Sequence, residues 1–135
     1  MFSAPAVTVH DLVQARAALA PGRPVVLLSA PGAALYAGCG WWQALVAAAR
    51  RDCATEAADL LDCADAPGAA MAALRVGLRG LVLDAACPAF PAVAAAAREL
   101  GAIVLPQRPA SLDLAGPGAM RRLAAWLAGG DQACP

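Results

Sequence analysis

The stretch "SAPGAALYAGCGWW", residues 29–42, decides the fold. It lies inside a segment without a charged residue that runs from Pro24 to Ala49, with Arg23 on one side and Arg50-Arg51 on the other. A segment of that length can cross a bilayer. Pro31, Gly32, Gly38 and Gly40, however, fall near its middle. A lone spanning helix broken there would leave backbone groups unsatisfied in lipid. The two ends also differ in character: "PVVLLS" (24–29) suits a strand and "WWQALVAAARR" (41–51) a helix. The reading is therefore strand 24–29, loop 30–40 and helix 41–51, with no membrane span.

The rest of the chain repeats this unit. "ADLLDC" (58–63), "GLVLDA" (80–85) and "AIVLPQ" (102–107) are short apolar runs bounded by Gly, Asp or Pro, and "VTV" (7–9) is a shorter one. Continuous apolarity marks strands covered on both faces. Amphipathic segments at 11–20, 67–76, 89–100 and 117–128 separate them. Thr8 and Asp11 have capping-box spacing, Pro91 fits a first helical turn, and Gly77, Gly101 and Gly129-Gly130 mark helix ends. The alternation predicts one α/β domain over 1–135: a three-layer sandwich with a four- to five-stranded, mainly parallel sheet of Rossmann-like or flavodoxin-like kind, helices on both faces.

Composition narrows the function. Of 135 residues 61% are apolar, many of them alanine, so the core rests on Val, Leu, Ile and Met. Ten acidic residues balance ten basic ones, and every basic residue is Arg. Without a basic stripe, nucleic-acid binding is not expected. Without lysine, Schiff-base chemistry and the Walker loop are excluded. Five cysteines, an odd number with no CxxC spacing, speak against a disulfide framework. The opening "MFSAPAVTVHDL" lacks the basic and apolar regions of a signal peptide. A reduced, cytoplasmic setting is expected.

Ligands of open parallel sheets bind outside the carboxyl ends of the strands. Those ends carry Ser29, Asp62, Asp84 and Gln107-Arg108; the following loops add Pro31-Gly32, Asp65 and Cys87. Asp62 and Asp84 end consecutive apolar runs, so two neighbouring carboxylates could form an acid–base pair. The competing role for each is to accept loop amides or cap a helix. Cys39 stands before a helix start, where a thiolate is favoured. "GCGWW" there partly resembles the redox-active turn of thioredoxins, but the second cysteine is missing and no family assignment follows. With a single histidine and scattered cysteines, no metal site and no cofactor are expected.

Two functions fit. One is a ligand-binding or assembly module without its own catalysis; the other is a small enzyme using Asp62 or Asp84 for acid–base chemistry. The expected ligand is a small anionic molecule held by helix-start amides and Arg108, and Arg108→Ala is expected to leave the fold intact. The apolar excess predicts a homo-oligomer, most simply a dimer, through the paired tryptophans Trp41-Trp42 and the helix at 117–128.

Overall fold

The computed structural model describes residues 2–53 and 57–129; Cys134 and Gly130 lie outside them. The chain forms β1 (Ala6–Thr8), α1 (Leu12–Leu19), β2 (Val26–Leu28), α2 (Ala33–Tyr36), α3 (Cys39–Asp52), β3 (Ala58–Asp62), α4 (Pro67–Arg75), β4 (Gly80–Val82), α5 (Phe90–Glu99), β5 (Ile103–Leu105), β6 (Ser111–Asp113) and α6 (Ala119–Leu127). The 24–49 segment divides as its composition predicts, with short α2 added inside the expected loop. Among the described residues no helix is long and apolar enough to cross a membrane.

The α/β class and the parallel sheet are as expected, but the strands number six. Their order is β5-β4-β3-β2-β1-β6, all pairs parallel. The additional strand, β6, beside β1, comes from "SLD". It is too short to stand out as an apolar run.

The helix ends follow local chemistry. The capping-box reading of Thr8 shifts by three residues: Asp11 is the N-cap of α1 and its Oδ1 accepts from the Gln14 amide at 2.8 Å, while Thr8 is buried in β1. Helices α4 and α5 stop in the same way. Gly77 and Gly101 take φ of +99° and +73°. The next amides, Leu78 and Ala102, then reach back to Ala73 O and Ala97 O at 3.1 and 2.8 Å. This is the Schellman arrangement, which satisfies the last carbonyls of each helix.

Strand order decides how the layers form. From β1 to β5 each strand is followed by its neighbour in the same direction. Right-handed crossovers then place the intervening helices on one face. The buried side chains bear this out: Ala15, Leu19, Trp42, Val46, Leu74, Val93, Leu123 and Trp126, from five helices, belong to one large cluster with Val7, Leu27, Leu61 and Leu83 of the strand regions. The opposite face holds a smaller cluster of Ala6, Val26, Leu28, Leu60 and Val82, with Phe2, Ala4, Ala58 and Leu105 packed against it and no helical residue in it. The helices expected on both faces are thus gathered on one.

The return from β5 to β6 has only residues 106–110 to work with. Six residue steps reach about 20 Å, whereas five flat strand spacings amount to about 24 Å. The sheet must therefore curl toward its helix-free face, and 106–110 runs across that face as a strap.

Close packing within the sheet leaves a sharp dependence on Gly80. A Cβ there would lie 2.2 Å from the Asp59 carbonyl oxygen and 3.0 Å from Leu60 Cδ2. Gly80→Ala is expected to cost about 2 kcal/mol, within the usual range for forcing a methyl into a filled interior. Urea denaturation checks it: the midpoint should fall with an unchanged slope, and a midpoint equal to wild type would contradict the close approach.

Candidate functional site

The carboxyl ends of β3, β4 and β5 and the strap border an open cleft of about 650 Å³. It is lined by Asp62, Ala64, Asp65, Val82, Asp84, Ala85, Pro106, Gln107 and Arg108. Of the residues singled out in the sequence, Asp62, Asp65, Asp84 and Arg108 therefore meet at one place. Ser29, Gly32, Cys39 and Cys87 do not line it.

Asp62 is almost fully buried, at 5% side-chain exposure against 26% for Arg108. Its Oδ2 receives Arg108 NH1 at 2.8 Å, and its Oδ1 receives the Ala64 amide at 2.7 Å. Arg108 also donates to the Ser29 carbonyl at 2.9 Å and to Thr8 Oγ1 at 3.1 Å. The guanidinium thus pins the strap to β1, to the end of β2 and to β3. Arg108 is thus half-buried and paired, with three of its five N–H groups engaged, rather than a free charge at the surface.

Asp84 is exposed, and its Oδ1 accepts the Ala86 amide at 2.9 Å. Both aspartates hold the amide two residues on, the turn-forming role that Asp often takes after a strand. Between them Ala64 adopts φ of +51°, the left-handed region uncommon for a residue with a Cβ. Its carbonyl receives the Asp84 amide at 2.8 Å, which ties the β3 and β4 loops together. Asp65 is exposed on the same wall. Asp65 and Asp84 have no cationic partner among the described residues.

The other predicted residues have structural surroundings. Ser29 is fully buried; its Oγ donates to Ala30 O and accepts the Asp62 amide at 2.9 Å, stapling β2 to β3. Gly32 precedes α2 with φ of +67°. Cys39 opens α3 and packs against the large cluster, while Cys87 is buried. Cys39, Cys53, Cys63 and Cys87 are free thiols. Among the described residues no group of three or more His, Cys, Asp or Glu is placed to hold a metal ion.

Sequence reasoning missed the flank formed by β1 and β6. Thr8 Oγ1 and Ser111 Oγ lie 2.8 Å apart, and His10 Nε2 meets Asp113 Oδ1 at 2.7 Å. Partial burial pushes the Asp113 carboxyl up, but hydrogen bonds from the Ala115 amide and His10, with the charges of His10 and Arg108, hold it below its usual range. The alternation S-L-D-L over 111–114 was the available signal, since period-two polarity marks a strand with one polar face.

Cys63 behaves differently from the rim. Burial, then the charges of Asp62 and Cys39, push its thiol from 9.0 up to about 12. A raised folded value means that this group's stability contribution is intact below pH 9 and is lost as pH rises toward 12. Stability should therefore fall more steeply between pH 9 and 12 in wild type than in Cys63→Ala. Parallel slopes in denaturation at stepped pH would count against the shift.

The fold and the rim together define a small, parallel α/β protein with an open cleft at the carboxyl edge of its sheet. The chain matches no protein-family model, and no curated protein matches it.

Proposed function

We propose that this chain is a small-molecule-binding module whose ligand occupies the cavity at the ends of β3, β4 and β5. The cavity carries this reading: at about 650 Å³ it falls in the range of ligand sites, and it stands where parallel strands end together. Binding is favoured over acid–base catalysis because Asp62 is committed to Arg108 and the Ala64 amide, while Asp84 holds the Ala86 amide. The same commitment of Arg108 alters the expected charge of the ligand. Asp65 and Asp84 face the cavity with no ion-pair partner among the described residues, and Arg108 beside them is already paired with Asp62, so a donor-rich or cationic group suits it better than an anion.

A thermal-shift screen with matched small cations and anions tests the reading, because ligands of the native state raise its melting temperature. Cationic members should stabilise the protein, and Asp84→Asn should remove most of the effect. Stabilisation confined to anions, or unaffected by Asp84→Asn, would overturn it. A second cavity, of about 510 Å³, lies at the opposite edge beside Gly77, Gly80 and Gly101. Its Arg50 and Asp59 are paired with each other at 2.9 Å.

Self-association belongs to the same proposal, on altered grounds. Trp42 and Trp126 are buried, leaving Trp41 exposed together with Leu35, Tyr36 and, on α6, Met120. Sedimentation at micromolar concentration should show a dimer that Trp41→Ser weakens; a concentration-independent monomer speaks against it.

A further inference from the structure

Independently of the rim, the geometry points to a contact between copies of this chain: β5 of one copy pairs antiparallel with β5 of a second about a twofold axis, joining two sheets into one. The observation is the outer side of β5, an end strand of the sheet. Its parallel pairing with β4 uses alternate residues. The Ile103 amide reaches Arg79 O at 2.9 Å, and the Leu105 carbonyl receives the Leu83 amide at 3.0 Å. Backbone groups alternate sides along a strand. The amide and carbonyl of Val104 therefore face outward, and neither has a hydrogen-bond partner among the described residues.

The two end strands differ in how they are guarded. A charged side chain is a usual device that keeps an edge strand from pairing with another chain. β6 carries exposed Asp113. β5 has no such guard: no charged residue lies between Leu100 and Gln107, and both Leu100 and Ile103 are exposed. Leu105 packs on the helix-free cluster and Val104 on the large one. Ile103, two residues from Leu105, belongs to the helix-free face as well. A twofold axis at Val104 sets this residue against its own copy, where the pair exchanges both N–H···O bonds. The same register sets exposed Ile103 against Leu105 of the second copy, so the helix-free apolar face continues across the seam.

Charge favours a second copy as the occupant. Antiparallel pairing lays the amino edge of one sheet beside the carboxyl edge of the other. Next to β4 and β5 the amino edge carries exposed Arg75, Arg79 and Arg98 with Glu99. The carboxyl edge carries exposed Asp65 and Asp84 and the neutral pair of Asp62 with Arg108. Basic thus meets acidic on both sides of the axis, whereas parallel pairing would set like edges together. The helix layer fits too. α5 joins β4 to β5 and packs on β5, so its two copies stand about two strand spacings apart, roughly 10 Å, a normal separation for packed helices. Ala92 and Ala95 on its exposed side are small enough to allow that approach. With so short a strand the contact is a weak, reversible one. It is separate from the face of Leu35, Tyr36 and Trp41, which belong to α2 and α3.

Amide hydrogen exchange of the full chain, read residue by residue at micromolar and at millimolar concentration, tests the seam. Exchange at Val104 should slow by at least roughly twofold at the higher concentration, since pairing closes that amide. Ile103 and Leu105, whose amides point to β4, should stay protected at both and serve as the internal control. Ile103→Lys, which supplies the missing guard, should abolish the concentration dependence at Val104 while the melting temperature stays near that of wild type. Trp41→Ser should leave the dependence in place; its loss there would assign all self-association to the tryptophan face and overturn the seam. Protection of Val104 that is equal at both concentrations would mean that the same chain covers this edge. A Val104 amide open at both would leave the edge to an extended peptide of another protein or to solvent. Either result overturns the proposal, as does a concentration dependence that survives Ile103→Lys.

Discussion

Replacing Trp42 by alanine is expected to lower the stability of the fold by about 4 kcal/mol, in line with large aromatic truncations in filled cores. Trp42 has no exposed surface and is the largest fully buried side chain. Its indole Nε1 donates to Asp59 Oδ2 at 3.1 Å, while Arg50 holds Asp59 Oδ1 at 2.9 Å. Truncation therefore opens a void between α3 and the sheet and leaves one oxygen of a partly buried carboxylate unserved. The melting temperature should drop by roughly 15 °C, taking about 4 °C per kcal/mol for a domain of this size. Trp41→Ala is the matched control. Trp41 is 37% exposed and touches Trp42 in a tilted pair with ring centroids 6.0 Å apart. It should cost about 1 kcal/mol or less. Equal losses at the two positions would contradict the assignment of Trp42 to the core.

Arg108→Ala should cost about 3 kcal/mol, reversing the expectation that a surface arginine could be removed freely. The loss comes from Asp62, whose buried carboxylate would keep only the Ala64 amide. Removing one partner of a buried pair is far costlier than removing both. The double variant Asp62→Asn, Arg108→Met should accordingly recover most of the loss, because Asn retains an acceptor for the Ala64 amide and Met fills space without a charge. Chemical denaturation of the singles and the double provides the cycle. Additive losses, or a cost below about 1 kcal/mol for Arg108→Ala alone, would show that the strap is not fastened by this pair.

Much of the fold was legible in order along the chain. The apolar runs at 58–63, 80–85 and 102–107 contain β3, β4 and β5, and the helices at 67–76 and 89–100 end at Gly77 and Gly101 as their sequence requires. These are local matters: hydrophobic period, helix propensity and the freedom of glycine at positive φ act within a few residues. The meeting of Asp62, Asp65, Asp84 and Arg108 at one rim was legible too, because parallel topology alone brings strand ends together.

Other features were settled between elements distant in sequence. Adjacent Trp41 and Trp42 look alike in the chain, and only the seating of α3 on the sheet made one core and the other surface. Arg108 looked like a free charge until the strap carried it to Thr8, Ser29 and Asp62, 100, 79 and 46 residues away. The face taken by each helix depended on the direction in which successive strands were added, which no periodicity records. The sequence by itself determined which segments become strands and helices and which ends carry the acids. Tertiary structure decided which charges remain free at the rim, because a charge is neutralised by whatever the fold brings within hydrogen-bond reach.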